Sequence, residues 1–301
     1  MSRDCTLNSD SQPQNIAINY KRNKAKAILT LKGIIDGIHC DEELNSIEEM
    51  YLRAWKDNDM FQFNDGDFID VHEQIEDILE DSIITSEEKI DLQQMLDDIL
   101  KYGAIHEDGY NALANQLLGF LSGISADDNL NDKEIFHLND LLNRSPLLCG
   151  QWPGIALKKR LDEVLLDSVI DEKERKDLLN LIKSVSGQKL SETGLAYGMS
   201  AEFSTTDKIE LVLSGLTICF TGQFLSGSRK FQSDKASKLG ASVKNKITKQ
   251  VDLLVLGSVA SRDWKFSSYG GKIENVLSNR LKGASTEIIN EEVWNQITSG
   301  I

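Results

Sequence analysis

Residues 25–185 repeat themselves. Gly33-Ile-Ile-Asp-Gly-Ile-His-Cys-Asp41 matches Gly119-Phe-Leu-Ser-Gly-Ile-Ser-Ala-Asp127, and Asp81-Ser-Ile-Ile-Thr-Ser-Glu-Glu88 matches Asp167-Ser-Val-Ile-Asp-Glu-Lys-Glu174, both at an offset of 86 residues with no gap between them. Such repetition means two copies of one supersecondary unit that share a core or pack together. The copies are placed at 25–103 and 104–185, after a loosely ordered polar tail at 1–24.

A shorter pattern recurs inside the long one: Asp, two residues, Leu or Ile, a capping residue, two residues, Glu. It runs Asp41–Glu48, Asp81–Glu88, Asp127–Glu134 and Asp167–Glu174. Its fifth position is Asn45, Thr85, Asn131 or Asp171, each a side chain that accepts from the free N–H groups of a helix start. The Glu three residues later completes a capping box. Each copy therefore predicts the end of a turn and the start of a helix. The helices that follow carry apolar stripes, Leu92, Met95, Leu96, Ile99 and Leu178, Leu181, Ile182, Val185, at the spacing of one buried face. Preceding helices show Ile75, Ile78, Leu79 and Leu161, Val164, Leu165. Gly33 and Gly37, like Gly119 and Gly123, are four apart on a helical face. Glycine weakens a helix, so these pairs are read as places where a second helix packs closely. The region is expected to be all-α.

The acidic turns admit another reading, as Ca²⁺ or Mg²⁺ ligands. They lack the sixth-position Gly and twelfth-position Glu of an EF-hand loop, and capping already accounts for the step to Glu. With these turns the region resembles the TerB-like helical modules of tellurite-resistance and stress proteins, which carry repeated acidic Asp-x-x-Ile-x-x-x-Glu turns. The Asp-Gly usual in that family is replaced by Asp41-Glu42 and Asp127-Asp128. A metal-responsive stress protein is thus kept as an alternative, and no metal or cofactor is expected.

Charge divides the chain in two. Residues 208–301 hold 13 Lys and Arg against 8 Asp and Glu, a net of +5, so the −15 of the whole chain leaves −20 for residues 1–207. A polyanion is repelled by the first part and attracted by the second. The acidic part is either a solvated surface or a face for a partner. Between the two lies 186–208, rich in Gly, Ser and Thr, and read as a flexible linker. No run of about 18 apolar residues marks a membrane span, and Met1-Ser-Arg-Asp-Cys-Thr lacks the apolar core of a secretory signal. Cys5, Cys40, Cys149 and Cys219 lie far apart, as reduced thiols of a cytoplasmic protein do.

From Leu216 the pattern changes. Leu216–Thr221, Ala241–Val243, Val251–Leu256 and Ser285–Ile289 read as short strands. Ser228–Leu239 and Lys272–Arg280 read as helices, and Asn290 caps a last one holding Trp294 and Ile297. This order, β-α-β-β-α-β-α, implies a small, largely parallel four-stranded sheet. The fold class is thus multidomain: an all-α tandem-repeat helical domain followed by a small α/β domain. Thr221-Gly222, Leu239-Gly240-Ala241, Asp252-Leu-Leu-Val255 and Trp294, in that order over residues 209–299, resemble the BRCT family. The domain is similar to the single BRCT domains of NAD-dependent DNA ligases and of the large subunit of replication factor C. Ser261–Lys272 looks like the longer connection of BRCT domains appended to bacterial exonuclease-like proteins.

That resemblance implies a phosphate site. Its hydroxyl and amide donors fall on Thr221 and Gly222, and the lysine opening its second helix falls on Lys272. The arginine opening the first helix, which in the replication-factor branch holds the 5′-phosphate of duplex DNA, falls on Arg229. Lys230 and Lys265 are near in sequence and are read as contacts to flanking phosphates. Phe266 and Tyr269 are read as packing, with stacking on a base as the alternative. Trp294 is read as core.

Catalytic patterns are missing. There is no Lys-x-Asp-Gly for adenylation and no nucleophile elbow, Asp41-Glu-Glu43 follows a helix, and His39, His72, His106 and His137 form no metal-type pair. The expectation is a non-enzymatic adaptor. Its BRCT domain binds a 5′-phosphorylated DNA end or nick, and its acidic domain binds a protein partner, in DNA repair, replication or defence. The alternative is a module that binds a phosphorylated or unmodified protein without DNA.

Overall fold

Each of the four capping residues starts a helix in the computed structural model. The side chains of Asn45, Thr85, Asn131 and Asp171 accept from the N–H three residues on, and Glu48, Glu88, Glu134 and Glu174 accept from the cap's own N–H. Asp127 and Asp167 close their own turns, accepting from the N–H groups of Asn129 and Val169 at 2.9 and 3.0 Å. At its described positions the repeated motif shapes turns and helix starts. Asp41 and the Asp81 side chain lie outside what the structure describes, which is residues 7–10, 12–40, 44–58, 65–81, 84–103, 109–167, 169–196, 198–203 and 211–299. Among these residues, no helix is long and apolar enough to cross a membrane.

The chain forms two units, Lys21–Tyr197 and a second that joins Met1–Tyr20 to Gly198–Ile301. The first is helical: α1 (Tyr20–Ile38), α2 (Ser46–Lys56), α3 (Gly66–Asp81), α4 (Ser86–Tyr102), α5 (Gly109–Ile124), α6 (Asp132–Arg144), α7 (Pro146–Cys149), α8 (Gly154–Val164), α9 (Glu172–Ser186) and α10 (Leu190–Thr193). The two copies meet at their glycines. A Cβ on Gly33 would lie 2.0 Å from the Gln116 carbonyl oxygen, and one on Gly119 2.0 Å from that of Thr30. At Gly37 and Gly123 the distances are 2.6 Å, to the carbonyls of Phe120 and Ile34. α1 and α5 therefore touch backbone to backbone, each offering its glycine pair to the other. Leu92, Leu96 and Ile99 of α4 and Ile75, Ile78 and Leu79 of α3 pack in one core with Ile28, Ile35 and Trp55. Leu161, Val164, Leu178, Ile182 and Val185 are buried in the second copy, while Met95, Leu165 and Leu181 are half-buried.

Two segments differ from expectation. Within 186–208, Leu190 and Ala196 join the helical core, and the Ser200 and Ala201 N–H groups donate to Ser258 and Ser268 carbonyls at 2.9 and 2.8 Å. Only 204–208 remain outside the described part, along with Tyr197. The described part of the tail, residues 7–10 and 12–24, is also built in. Leu7 and Pro13 form an antiparallel bridge, Ile16–Ile18 is a single 3₁₀ turn, and α1 begins at Tyr20. Gln12 Nε2 donates to Ser261 Oγ and Asn19 Nδ2 to Asp263 Oδ1, both at 3.0 Å. These partners lie 249 and 244 residues away, so composition alone gave no sign of them.

The second unit holds a four-stranded sheet of β1 (Thr217–Thr221), β2 (Ser242–Lys244), β3 (Leu253–Leu256) and β4 (Glu287–Asn290), in the order β2-β1-β3-β4 and parallel throughout. Its helices are α11 (Arg229–Lys238), α12 (Gly271–Leu281) and α13 (Glu291–Thr298). Strand side chains alternate between faces. Ile218, Phe220, Leu253, Val255 and Ile289 pack on one face with Ala236 of α11 and Trp294 of α13. Cys219 and Thr221 point to the other face, where Lys272 of α12 meets the Cys219 thiol.

The glycine contact is the strictest requirement of the helical unit. Gly119→Ala is expected to cost roughly 3 kcal/mol, because the methyl group must force two helix backbones apart. Gly66→Ala, where a Cβ meets nothing within 4 Å, should be close to neutral. Urea denaturation of the two variants compares them, and equal midpoints would show that the backbones have room to spare.

Candidate functional site

β1 lies between β2 and β3, and in a parallel sheet every strand ends at the same edge. At that edge Thr221 closes β1 and Gly222 turns the chain with φ +82°. A side chain there would be strained in this conformation, and a Cβ would sit 3.1 Å from the Gly257 backbone. Among the described residues, no hydrogen bond engages the Thr221 hydroxyl or the Gly222 N–H.

Two cations converge on the same strand end from the two faces of the sheet. Arg229, the first residue of α11, donates from Nη2 to the Gly222 carbonyl at 2.9 Å. Lys272, the second residue of α12, donates from Nζ to the Phe220 carbonyl at 2.7 Å. Burial pulls the pKa of Arg229 below its ordinary value, with Asp10 and Cys219 working against it. Burial also lowers that of Lys272, and the charge of Arg229 pushes it the same way while Cys219 opposes. Each cation is therefore partly withdrawn from water, and Lys272 feels the charge of Arg229. The Cys219 thiol is fully buried, and burial raises its pKa against the pull of Lys272.

The loop from β1 to α11 is held by a residue the sequence reading passed over. Glu291, the first residue of α13 and 2 % exposed, accepts from the N–H groups of Leu225, Ser226 and Ser258 at 3.1, 2.6 and 2.9 Å, and from the Ser226 hydroxyl at 2.7 Å. Burial works against its ionisation, but these donors outweigh it and hold its pKa below the usual carboxylate range. Gln232 adds a second brace. Its Nε2 donates to the Ser226 carbonyl and hydroxyl at 3.2 and 3.0 Å, and its Oε1 accepts from the Trp294 indole N–H at 2.9 Å. Trp294 is indeed core, edge-on to Phe220 at 5.3 Å. Ser228 caps α11 by accepting from the Phe231 N–H.

The structure thus brings Thr221, Gly222, Arg229 and Lys272 to one strand end. Lys230 is exposed in the first turn of α11. Lys265 does not join them as a free cation: it pairs with Glu274 of α12 at 3.7 Å and lies over the Phe266 ring at 4.9 Å. Phe266 and Tyr269 are buried and stack on each other at 4.3 Å, which leaves neither face-open for a base. Glu291 and Gln232 left no signal in the sequence because their partners in the loop lie 65 and 6 residues away and across the sheet edge.

This sheet, with its sequence of elements and its strand-end glycine, is that of a BRCT domain, and residues 208–282 match the family model described as BRCA1 C Terminus (BRCT) domain. The relatives are DNA ligases. Over 84 residues, 28% of this chain, the identity is 38% to DNA ligase of Orientia tsutsugamushi (strain Boryong), and over 88 residues, 29% of the chain, it is 33% to DNA ligase of Bartonella quintana (strain Toulouse). The matched stretch spans 10% of either ligase. No solved structure matches the chain.

Glu291 should betray itself through pH. A carboxylate whose folded-state pKa is depressed stabilises the fold above its unfolded pKa, about 4.3, and loses that contribution as pH falls through the folded-state value. Glu291→Gln is expected to speed hydrogen exchange at the Leu225, Ser226 and Ser258 amides near neutral pH, with a stability cost of roughly 2 kcal/mol. The gap from wild type should narrow as the pH drops below about 4. Unchanged exchange at those three amides would remove Glu291 from the loop's support.

Proposed function

We propose that the BRCT domain binds a phosphate carried by a 5′-phosphorylated DNA end or nick, and that the acidic helical domain holds a protein partner. On this reading the protein is a non-enzymatic adaptor in DNA repair, replication or defence. One observation carries the proposal: Arg229 and Lys272, both poor in water, converge on a single strand end and repel each other. Such a pair is relieved by an anion. A terminal phosphate bears nearly two negative charges and three acceptor oxygens, and the Gly222 N–H and Thr221 hydroxyl lie beside the cations as neutral donors. Charge-assisted bonds of this kind are the strong ones.

Other features favour nucleic acid as the carrier of that phosphate. Lys244 ends β2, the edge strand that neighbours β1, and Lys246 follows in the next loop. Both therefore lie toward the strand-end edge that holds Arg229 and Lys272. The net +5 of residues 208–301 attracts a polyanion, and the relatives are DNA ligases. The first unit repels DNA with its acidic surface, which suits a protein partner better.

The test is a pair of duplexes, one with a 5′-phosphate and one with a 5′-hydroxyl. The phosphorylated duplex should bind more tightly, and Arg229→Ala or Lys272→Ala should erase the difference, each at a cost of about tenfold. Affinity should also fall with salt as counterions are released. Equal affinity for the two duplexes would remove the end-binding reading. A phosphopeptide bound without salt dependence would point to the protein-binding alternative.

A further inference from the structure

The N-terminal hairpin lies on the cationic site. Asp10 Oδ1 accepts from the Arg229 N–H at 3.0 Å, and the Ser9 carbonyl accepts from the Lys230 N–H at 3.2 Å. With Ser228 taking the Phe231 N–H at 3.2 Å, the first three amides of α11 are all occupied, two of them by the hairpin. The carboxylate stands where the helix end is most positive, and its charge acts on the Arg229 guanidinium. The Nε of that guanidinium is buried without a partner.

The hairpin is shaped to present this group. Asn8 Oδ1 accepts from the N–H groups of Asp10 and Gln12 at 3.0 and 2.9 Å, and the Asn8 N–H donates to the Gln12 carbonyl at 2.8 Å. Its attachment is polar. Gln12 donates to Ser261 Oγ at 3.0 Å, and Arg262 donates to the Pro13 carbonyl at 3.2 Å. The apolar Leu7 and Ile18 are 54% and 41% exposed. No large apolar side chain among the described residues of the segment is buried to fasten it. A cover held by hydrogen bonds exchanges them readily for bonds to water or to another anion.

We infer that the described residues of this segment, 7–10 and 12–13, are an internal competitor for the phosphate site, with the Asp10 carboxylate taking the place of part of an incoming phosphate. The domain then exists in a covered form and an open form, and ligand affinity is lowered by the fraction covered. This inference rests on the phosphate reading given above.

The experiment titrates the full chain with the 5′-phosphate and 5′-hydroxyl duplexes at one salt concentration. Wild type is compared with Asp10→Ala and with Glu292→Ala, an exposed residue of α13 that controls for the loss of one negative charge. Thermal melting checks that both variants fold. Asp10→Ala is expected to tighten binding of the phosphorylated duplex on the order of threefold, with little change for the hydroxyl duplex and little effect of Glu292→Ala. If wild type prefers the phosphorylated duplex but Asp10→Ala leaves that preference as it was, the competitor is overturned while the phosphate reading stands. If Asp10→Ala and Glu292→Ala tighten both duplexes alike, bulk charge is the cause and the competitor is again overturned. If no form tells the two duplexes apart, both ideas fall together.

Discussion

A parallel strand with a neighbour on each side must release its chain at one edge only. β1 is such a strand, paired with β2 through Thr217–Cys219 and with β3 through Ile218–Thr221. Its burial fixes the position of Thr221, and parallel pairing brings the starts of α11, α12 and α13 to the same edge. Arg229, Lys272 and Glu291 each occupy the first or second position of one of these helices. The site is therefore a consequence of topology before it is a matter of any one side chain.

Charge at that edge is sorted by how well each group is satisfied. Glu291 is surrounded by four donors and is stable as a carboxylate. Arg229 and Lys272 have main-chain carbonyls for partners, which accept hydrogen bonds without neutralising charge. Glu291 is thus satisfied as a carboxylate, while the charges of Arg229 and Lys272 rest on carbonyl acceptors and, at Arg229, on the nearby Asp10. Hydrogen bonds accepted by Glu291 and donated by Gln232 hold the loop from β1 to α11 at this edge.

The helical unit obeys a different constraint. Two helices whose backbones touch admit no side chain at the crossing, so glycine is required at Gly33, Gly37, Gly119 and Gly123 together. The capping boxes then set where the next helix starts in each copy. Duplication appears as a matched pair of contacts across one crossing. Asp127 and Asp167, the described first residues of the motif, serve its turns.

Local and periodic features were legible from the amino acids alone. The four caps, the apolar stripes, the strands of the C-terminal domain and Asn290 as a cap depend on neighbours within one or two turns, and short-range physics fixes them. The candidate residues Thr221, Gly222, Arg229 and Lys272 were reached through a resemblance, since nothing in their spacing states that they meet. The pairing of Lys265 with Glu274 was not legible either, because nearness in sequence does not disclose a partner nine residues on. Tertiary structure alone decided the rest. A polar tail and a Gly/Ser-rich stretch read as loose because they have few apolar residues to bury, yet Gln12, Asn19, Ser200 and Ala201 are held by hydrogen bonds to residues far along the chain. Such bonds carry no periodicity and form only where the fold has already placed a donor opposite an acceptor.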